Sequence, residues 1–282
     1  MDIRRAQFMG SWYPASDKEC EAKILDFISD MPEVEPGIKR LGGIVPHAGW
    51  VYSGMIAAQV IAALKGDTPP DVIAVFGMHL APRHPNFIMA KGAWETPFGP
   101  LEIAEDVAGQ LAKGFTFEIE SADRHVQDNT IELQLPFIKY FFPKARIVPI
   151  GVPPTDRSLA IGEAFVDVAG RLGYSAKVIG STDLTHYGSN YGFSPVGSGP
   201  KAIQWVKREN DRKVLERIMA MDPRGLIDQA LENSNACCGG AAATAIAAAK
   251  RLGAERSQIL AYSTSYDITP AESFVGYVGA VF

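Results

Sequence analysis

Val72-Ile-Ala-Val-Phe-Gly-Met-His79 is a run of five apolar residues that ends in a glycine and, two residues later, a histidine. An apolar run without polar alternation reads as a strand buried on both faces. Similar short runs recur at Gly43-Ile-Val45, Ile147-Val-Pro-Ile-Gly151, Lys177-Val-Ile-Gly180 and Gln258-Ile-Leu-Ala-Tyr262. Helices are predicted over 53–64, 156–172, 200–221 and 239–252. Ahead of them, Ser16-Asp-Lys-Glu19 fits a capping box that opens an amphipathic helix. Strand–helix alternation of this kind predicts an α/β protein with a mostly parallel central sheet covered by helices on both faces.

Two stretches depart from the alternation. Residues 87–103 contain Trp94-Glu-Thr-Pro-Phe-Gly-Pro100 and read as a hairpin or edge excursion. Residues 273–282 read as a final strand pinned to the sheet. No long polar linker divides the chain, so residues 1–282 are expected to form one domain.

The formal net charge is -5, and no dense Lys/Arg stripe is present, which argues against nucleic-acid binding. The first ten residues lack the apolar core of a signal peptide, and the Ala- and Gly-rich run 236–249 is too short to span a bilayer. A cytoplasmic protein without membrane association is the expectation. The cysteines, Cys20 and the adjacent Cys237 and Cys238, suggest no disulfide framework.

In parallel sheets, ligands bind beyond the C-terminal strand ends, where loops bring distant residues together. His47 follows one predicted strand, His79 the next, and His186 follows Val178-Ile-Gly-Ser-Thr-Asp183. Each alone is equally a polar turn residue; three at one kind of place suggest one cleft. Imidazole is the commonest transition-metal ligand, yet no CxxC or HExxH signature is present, so the argument is topological. Cys238 stands at the predicted start of the Ala-rich helix, where the helix dipole and free N–H groups favour a thiolate. It is equally a buried thiol filling a small space, a reading that applies more strongly to Cys237. Asp183 is placed to orient an imidazole, or to serve in a turn. Asp128 and Glu132 are further polar candidates, His125 lies near them, and His84 reads as a surface loop residue. Trp50 and Tyr52 either wall the pocket or join the core.

At these residues the sequence resembles the Memo family, whose fold is shared with class III extradiol ring-cleaving dioxygenases of the protocatechuate 4,5-dioxygenase type. The resemblance runs through Gly10-Ser-Trp-Tyr-Pro-Ala-Ser16, Pro46-His-Ala-Gly-Trp-Val-Tyr-Ser-Gly54, Thr130-Ile-Glu-Leu-Gln-Leu-Pro-Phe137, Ser181-Thr-Asp-Leu-Thr-His-Tyr-Gly188, Cys238-Gly239 and the 265–279 region. It implies a metal triad of His47, His79 and Cys238, holding iron(II) or copper, with His186 as an acid/base group and no nucleotide cofactor. Two departures stand out. The family's Gly-Pro-x-His loop is Gly77-Met-His79 here, one residue shorter, and Asn129 replaces a pocket histidine.

Three functions remain open at this level. One is a metal-dependent oxidoreductase, to which a thiolate in place of the iron(II) carboxylate is a chemical objection in its ring-cleaving form. Another is a hydrolase using Cys238, His186 and Asp183. The third is a module binding a small molecule or peptide without turnover.

Overall fold

Strands buried on both faces must lie between layers, and that is where the computed structural model, which describes residues 2–66 and 68–282, places them. The main sheet has nine strands: β1 (Gly42–Val45), β2 (Val72–Gly77), β3 (Asn86–Met89), β4 (Phe117–Glu120), β5 (Arg146–Gly151), β6 (Ala176–Ser181), β7 (His186–Tyr187), β8 (Gln258–Thr264) and β9 (Phe274–Val281). Their order is β7-β9-β1-β6-β2-β5-β3-β4, with β8 also paired to β9.

The centre, β1-β6-β2-β5, is parallel throughout, as the buried apolar runs predict. The margins are mixed: β9 pairs antiparallel with β1, β7 and β8, and β3 pairs antiparallel with β5. Register matters more than direction for the site. Val45 pairs with Ser181 and Phe76 with Gly180, so β1, β6 and β2 end level with one another. The residues that follow these three strands therefore leave the sheet along one rim.

Helices α1 (Asp17–Phe27), α2 (Trp50–Ala63), α3 (Leu135–Phe141), α4 (Asp156–Arg171) and α5 (Gly239–Leu252) supply much of the covering layers. The Ala-rich composition of α5 has a steric reason. A Cβ on Gly180 of β6 would stand 2.8 Å from the Ala241 carbonyl oxygen, so this helix lies almost on the sheet backbone. Only small residues permit that approach. The main hydrophobic cluster runs through both layers, as expected of a single-domain α/β chain.

The excursion at 87–103 forms a small separate sheet, in which Ala93–Trp94 pairs with Leu101–Glu102 and with Ile3–Arg4. The helix predicted over 200–221 is interrupted by a π turn at Val206–Asn210. The wider turn leads into Asn210 and Asp211, both buried, and Asp211 takes hydrogen bonds from Thr185 and Tyr262. No helix among the described residues is long and apolar enough to cross a membrane.

Candidate metal centre

The loop leaving β1 is held from three sides. The His47 backbone N–H donates to Asp183 Oδ1 at 2.8 Å, and its carbonyl accepts from Asn129 Nδ2 at 3.0 Å. Its ring Nδ1 lies 3.0 Å from Ser181 Oγ, which Gln134 Nε2 also approaches while donating to the Pro46 carbonyl. With Nδ1 engaged by a hydroxyl, Nε2 is the nitrogen His47 presents, and it lies 3.2 Å from Cys237 Sγ.

The loop leaving β2 turns quickly. Met78 has φ of 71°, a left-handed conformation rare outside glycine, and its N–H donates to Thr130 Oγ1 at 2.7 Å. The Thr130 hydroxyl donates in turn to Asp128, which also accepts the Ile131 N–H as the cap of the 129–132 helix. Asp128 thus acts beneath the loop, fixing the turn that carries His79. The exposed His79 ring stands edge-on to His47, with centroids 4.9 Å apart.

The loop leaving β6 meets the start of α5. Cys237 N–H donates to the Asp183 carbonyl at 3.1 Å, and Cys238 N–H to Thr182 Oγ1 at 3.0 Å. In return the Asp183 N–H points to Cys237 Sγ at 3.3 Å. The two sulfurs are 3.8 Å apart, with Cys237 half-buried and Cys238 buried. One donor atom from each of His47, His79, Cys237 and Cys238 falls in a group whose members all lie within 4.8 Å of one another.

Asp183 Oδ2 faces two imidazoles, with His47 Nε2 and His186 Nε2 each 3.8 Å away. Burial alone would lower the His47 pKa; Asp183 and the Cys237 sulfur outweigh it and raise the value to about 9. The same opposition raises His186 to about 10. For Cys237, burial is overcome by the Cys238 thiol and the two imidazoles, and the pKa falls well below that of a free thiol. Cys238, desolvated beside that sulfur, is pushed well up. These shifts run in the direction of an imidazolium–thiolate pairing of the histidines with Cys237 and a protonated Cys238.

Above these groups opens a cavity of about 1000 Å³. His47, His79, Asp183, His186 and Asn129 contribute to its floor, and Trp12, Tyr52, Tyr191 and Tyr277 to its walls, with Lys23 also lining it. The cysteines lie outside the lining, behind the histidines.

The family profile described as Memo-like protein matches residues 4–281. The chain belongs to the Memo-like family. A MEMO1 family protein of Thermococcus kodakarensis is 32% identical over 289 residues, covering 99% of both chains. One from Methanopyrus kandleri is 34% identical over 291 residues, covering 97% of this chain and 96% of the relative. The crystal structure of an uncharacterized protein from Escherichia coli K12 shares the fold, with a TM-score of 0.55 at 9% identity, covering 90% of this chain and all of that one.

Within this Memo-like chain, the structure brings His47, His79, His186, Asp183 and Asn129 to one cavity, and both Cys237 and Cys238 to its underside. Tyr52 is a partly exposed wall residue. Trp50 touches the cavity but is 4% exposed, stacks on Phe137 at 4.2 Å and donates to the Leu133 carbonyl, so most of it is core. Asp128 and Glu132 do not line the cavity. Glu132 binds the N-terminal segment through the Gln7 and Phe8 N–H groups and Tyr13 OH. His125 lies at the surface beside Gln7, and His84 accepts a turn N–H from Ala81. Cys20 is buried in α1. Sequence reasoning did not single out Ser181, Thr182, Thr130 or Gln134 as supports. They lie inside the quoted motifs, but the contacts that give them roles are long-range.

Proposed function

We propose that this Memo-like protein is a metal-dependent oxidoreductase that holds one iron or copper ion beneath a cavity for a small-molecule or peptide ligand. The carrying observation is the cluster of imidazole and thiol donors within 4.8 Å of one another under that cavity. The donor set suits borderline and soft transition metals and is poor in the oxygen ligands that magnesium and calcium demand. His47, His79 and sulfur from the cysteine pair would hold the ion, which when bound supplies one-electron chemistry. A cytoplasmic setting fits, because reducing conditions keep both thiols free.

The chain's own groups have separable tasks. Ser181 orients the His47 ring through Nδ1, and the Asp128–Thr130 pair fixes the turn carrying His79. His186 Nε2 lies 3.8 Å from Asp183 Oδ2, with Tyr191 packed on its ring, a placement that suits proton transfer at the cavity. The aromatic walls favour a largely apolar ligand body.

A second reading, thiol nucleophile chemistry, is favoured by one contact: Cys237 Sγ stands 3.2 Å from His47 Nε2. That pairing differs from the Cys238–His186 pair considered from sequence. Metal analysis of protein purified anaerobically without an affinity tag separates the two. About one iron or copper per chain, lost in His47→Ala, is expected. Protein that neither carries nor takes up either metal, yet is alkylated at Cys237 equally fast with and without chelator, supports the nucleophile instead.

A further inference from the structure

We infer that both adjacent cysteines bind the same ion, so that His47, His79, Cys237 and Cys238 form a four-donor dithiolate–diimidazole set that selects copper(I) over iron(II), with zinc as its redox-silent stand-in. The inference rests on the metal reading above and changes its coordination. The resemblance implies one cysteine ligand, at Cys238; the geometry supplies two.

Side chains of adjacent residues usually diverge. Here the chain turns into α5 at Cys238 (φ -124°, ψ 51°), and the two sulfurs end 3.8 Å apart. The backbone between them is fixed. Cys237 N–H is tied to the Asp183 carbonyl and Cys238 N–H to Thr182 Oγ1, two consecutive anchors for two consecutive cysteines. With both amides anchored, the intervening peptide is held, and only the two χ1 rotations are left to place the sulfurs. Cys237 Sγ faces His47 Nε2, and the sulfur of Cys238 belongs to the same group of mutually close donors as His79.

A packing role for Cys238 explains its 4% exposure but not its position. A thiol that merely filled space would serve equally well on the far side of the α5 start, away from three other donors. Asp183, the nearest carboxylate, is occupied differently. Its Oδ1 accepts the His47 N–H, and it is absent from the four-donor group.

The chemistry of the set follows from its composition. Two thiolates and two imidazoles make the closed type of site that holds zinc, and soft sulfur favours copper(I). Oxygen-activating iron(II) instead prefers two histidines and a carboxylate with open positions. The burial of the donors agrees, since Cys238 and His47 are buried, Cys237 is half-buried, and only His79 is exposed. An ion held by all four is covered on its protein side and meets the cavity through His79.

Cobalt(II) titration of the metal-free, full-length chain under anaerobic conditions tests this, with zinc X-ray absorption as a readout that needs no variant. One cobalt per chain is expected, with sulfur-to-cobalt charge-transfer absorption. That absorption per bound cobalt should fall to about half in Cys237→Ser and in Cys238→Ser and vanish in the double variant, if each sulfur contributes one bond. Zinc-loaded wild type should show two sulfur neighbours. One sulfur per zinc, or full absorption retained in either single variant, overturns the four-donor set while leaving the metal reading intact. A chain that binds neither cobalt nor zinc also overturns the four-donor set, and one that in addition takes up neither iron nor copper overturns the metal reading with it.

Discussion

Glu132 and Asp183 are both buried carboxylates, with 1% and 4% exposure, and both tie distant parts of the chain together. Their hydrogen bonding differs. Glu132 is saturated: Gln7 N–H reaches both oxygens, and Phe8 N–H and Tyr13 OH reach Oε1. Asp183 uses Oδ1 for the His47 N–H, whereas Oδ2 faces two imidazoles, each 3.8 Å away. A carboxylate whose lone pairs are all taken holds structure. One with an oxygen left facing titratable groups also sets their charge. Sequence separates them only by position: Asp183 follows the apolar run ending at Gly180, whereas Glu132 follows the polar stretch 120–130.

The largest effect should come from breaking the saturated partner. Glu132→Ala leaves the Gln7 and Phe8 N–H groups and the buried Tyr13 side chain's hydroxyl without an acceptor and deprives buried Arg4 of a nearby charge. A stability loss of about 3–5 kcal/mol is expected by chemical denaturation, since each orphaned donor costs on the order of 1–3 kcal/mol. The metal affinity of the molecules that remain folded should not change. A large loss of affinity would mean that the two carboxylates belong to one functional unit, and the contrast between them would fail.

A smaller effect belongs to pH. In the metal-free chain His47 titrates near 9 and His186 near 10, above the ordinary 6.5, while Cys237 lies well below the ordinary 9.0. The imidazolium contributions are complete below about pH 6.5 and are lost as pH rises through 9 to 10. The Cys237 contribution has the opposite sign: it is complete above the free-thiol value and lost as pH falls. Between pH 6.5 and 9 the folded site holds two imidazolium protons and the Cys238 thiol proton, and the unfolded chain mainly the two thiol protons of Cys237 and Cys238. Stability should therefore fall by about 1 kcal/mol per pH unit over that window. Metal affinity should rise over the same window, because bound imidazoles must be neutral and bound sulfur deprotonated. Urea denaturation of metal-free protein at three pH values measures the slope.

Much of this arrangement was legible in the residues. The apolar runs ending at Val45, Phe76 and Gly180 become parallel central strands, and the rule that ligands gather at strand exits brings His47, His79 and His186 to one rim. The antiparallel margins were not legible. Every residue of β9 is buried, so its sequence lacks the alternation that separates a half-exposed antiparallel strand from a buried parallel one. Nor does sequence give the facing of Cys237 and Cys238. That depends on the anchoring of two consecutive amides to Thr182 and Asp183, more than fifty positions away. Asp128 reads as a pocket residue until its oxygens are found engaged by Thr130 and Ile131.

Asp183→Asn makes the finest cut between the two carboxylates. The amide oxygen of Asn retains an acceptor for the His47 N–H, so the loop leaving β1 keeps its anchor, and only the charge at the second position is removed. Asp183 raises the pKa of both His47 and His186, so both values should drop toward 6.5 in the variant, readable as imidazole titrations by NMR. The stability cost follows from the same linkage. It should be about 1 kcal/mol near pH 6.5, where the wild-type imidazoliums are fully charged, and should shrink toward pH 10, where they are not. The pH slope of the variant should therefore be flatter than that of the wild type, whereas a loss of packing or of the backbone anchor would lower stability equally at every pH. An unchanged slope with unchanged histidine titrations would show that Cys237 alone sets the imidazole charges. Asp183 would then be a structural tie of the same kind as Glu132.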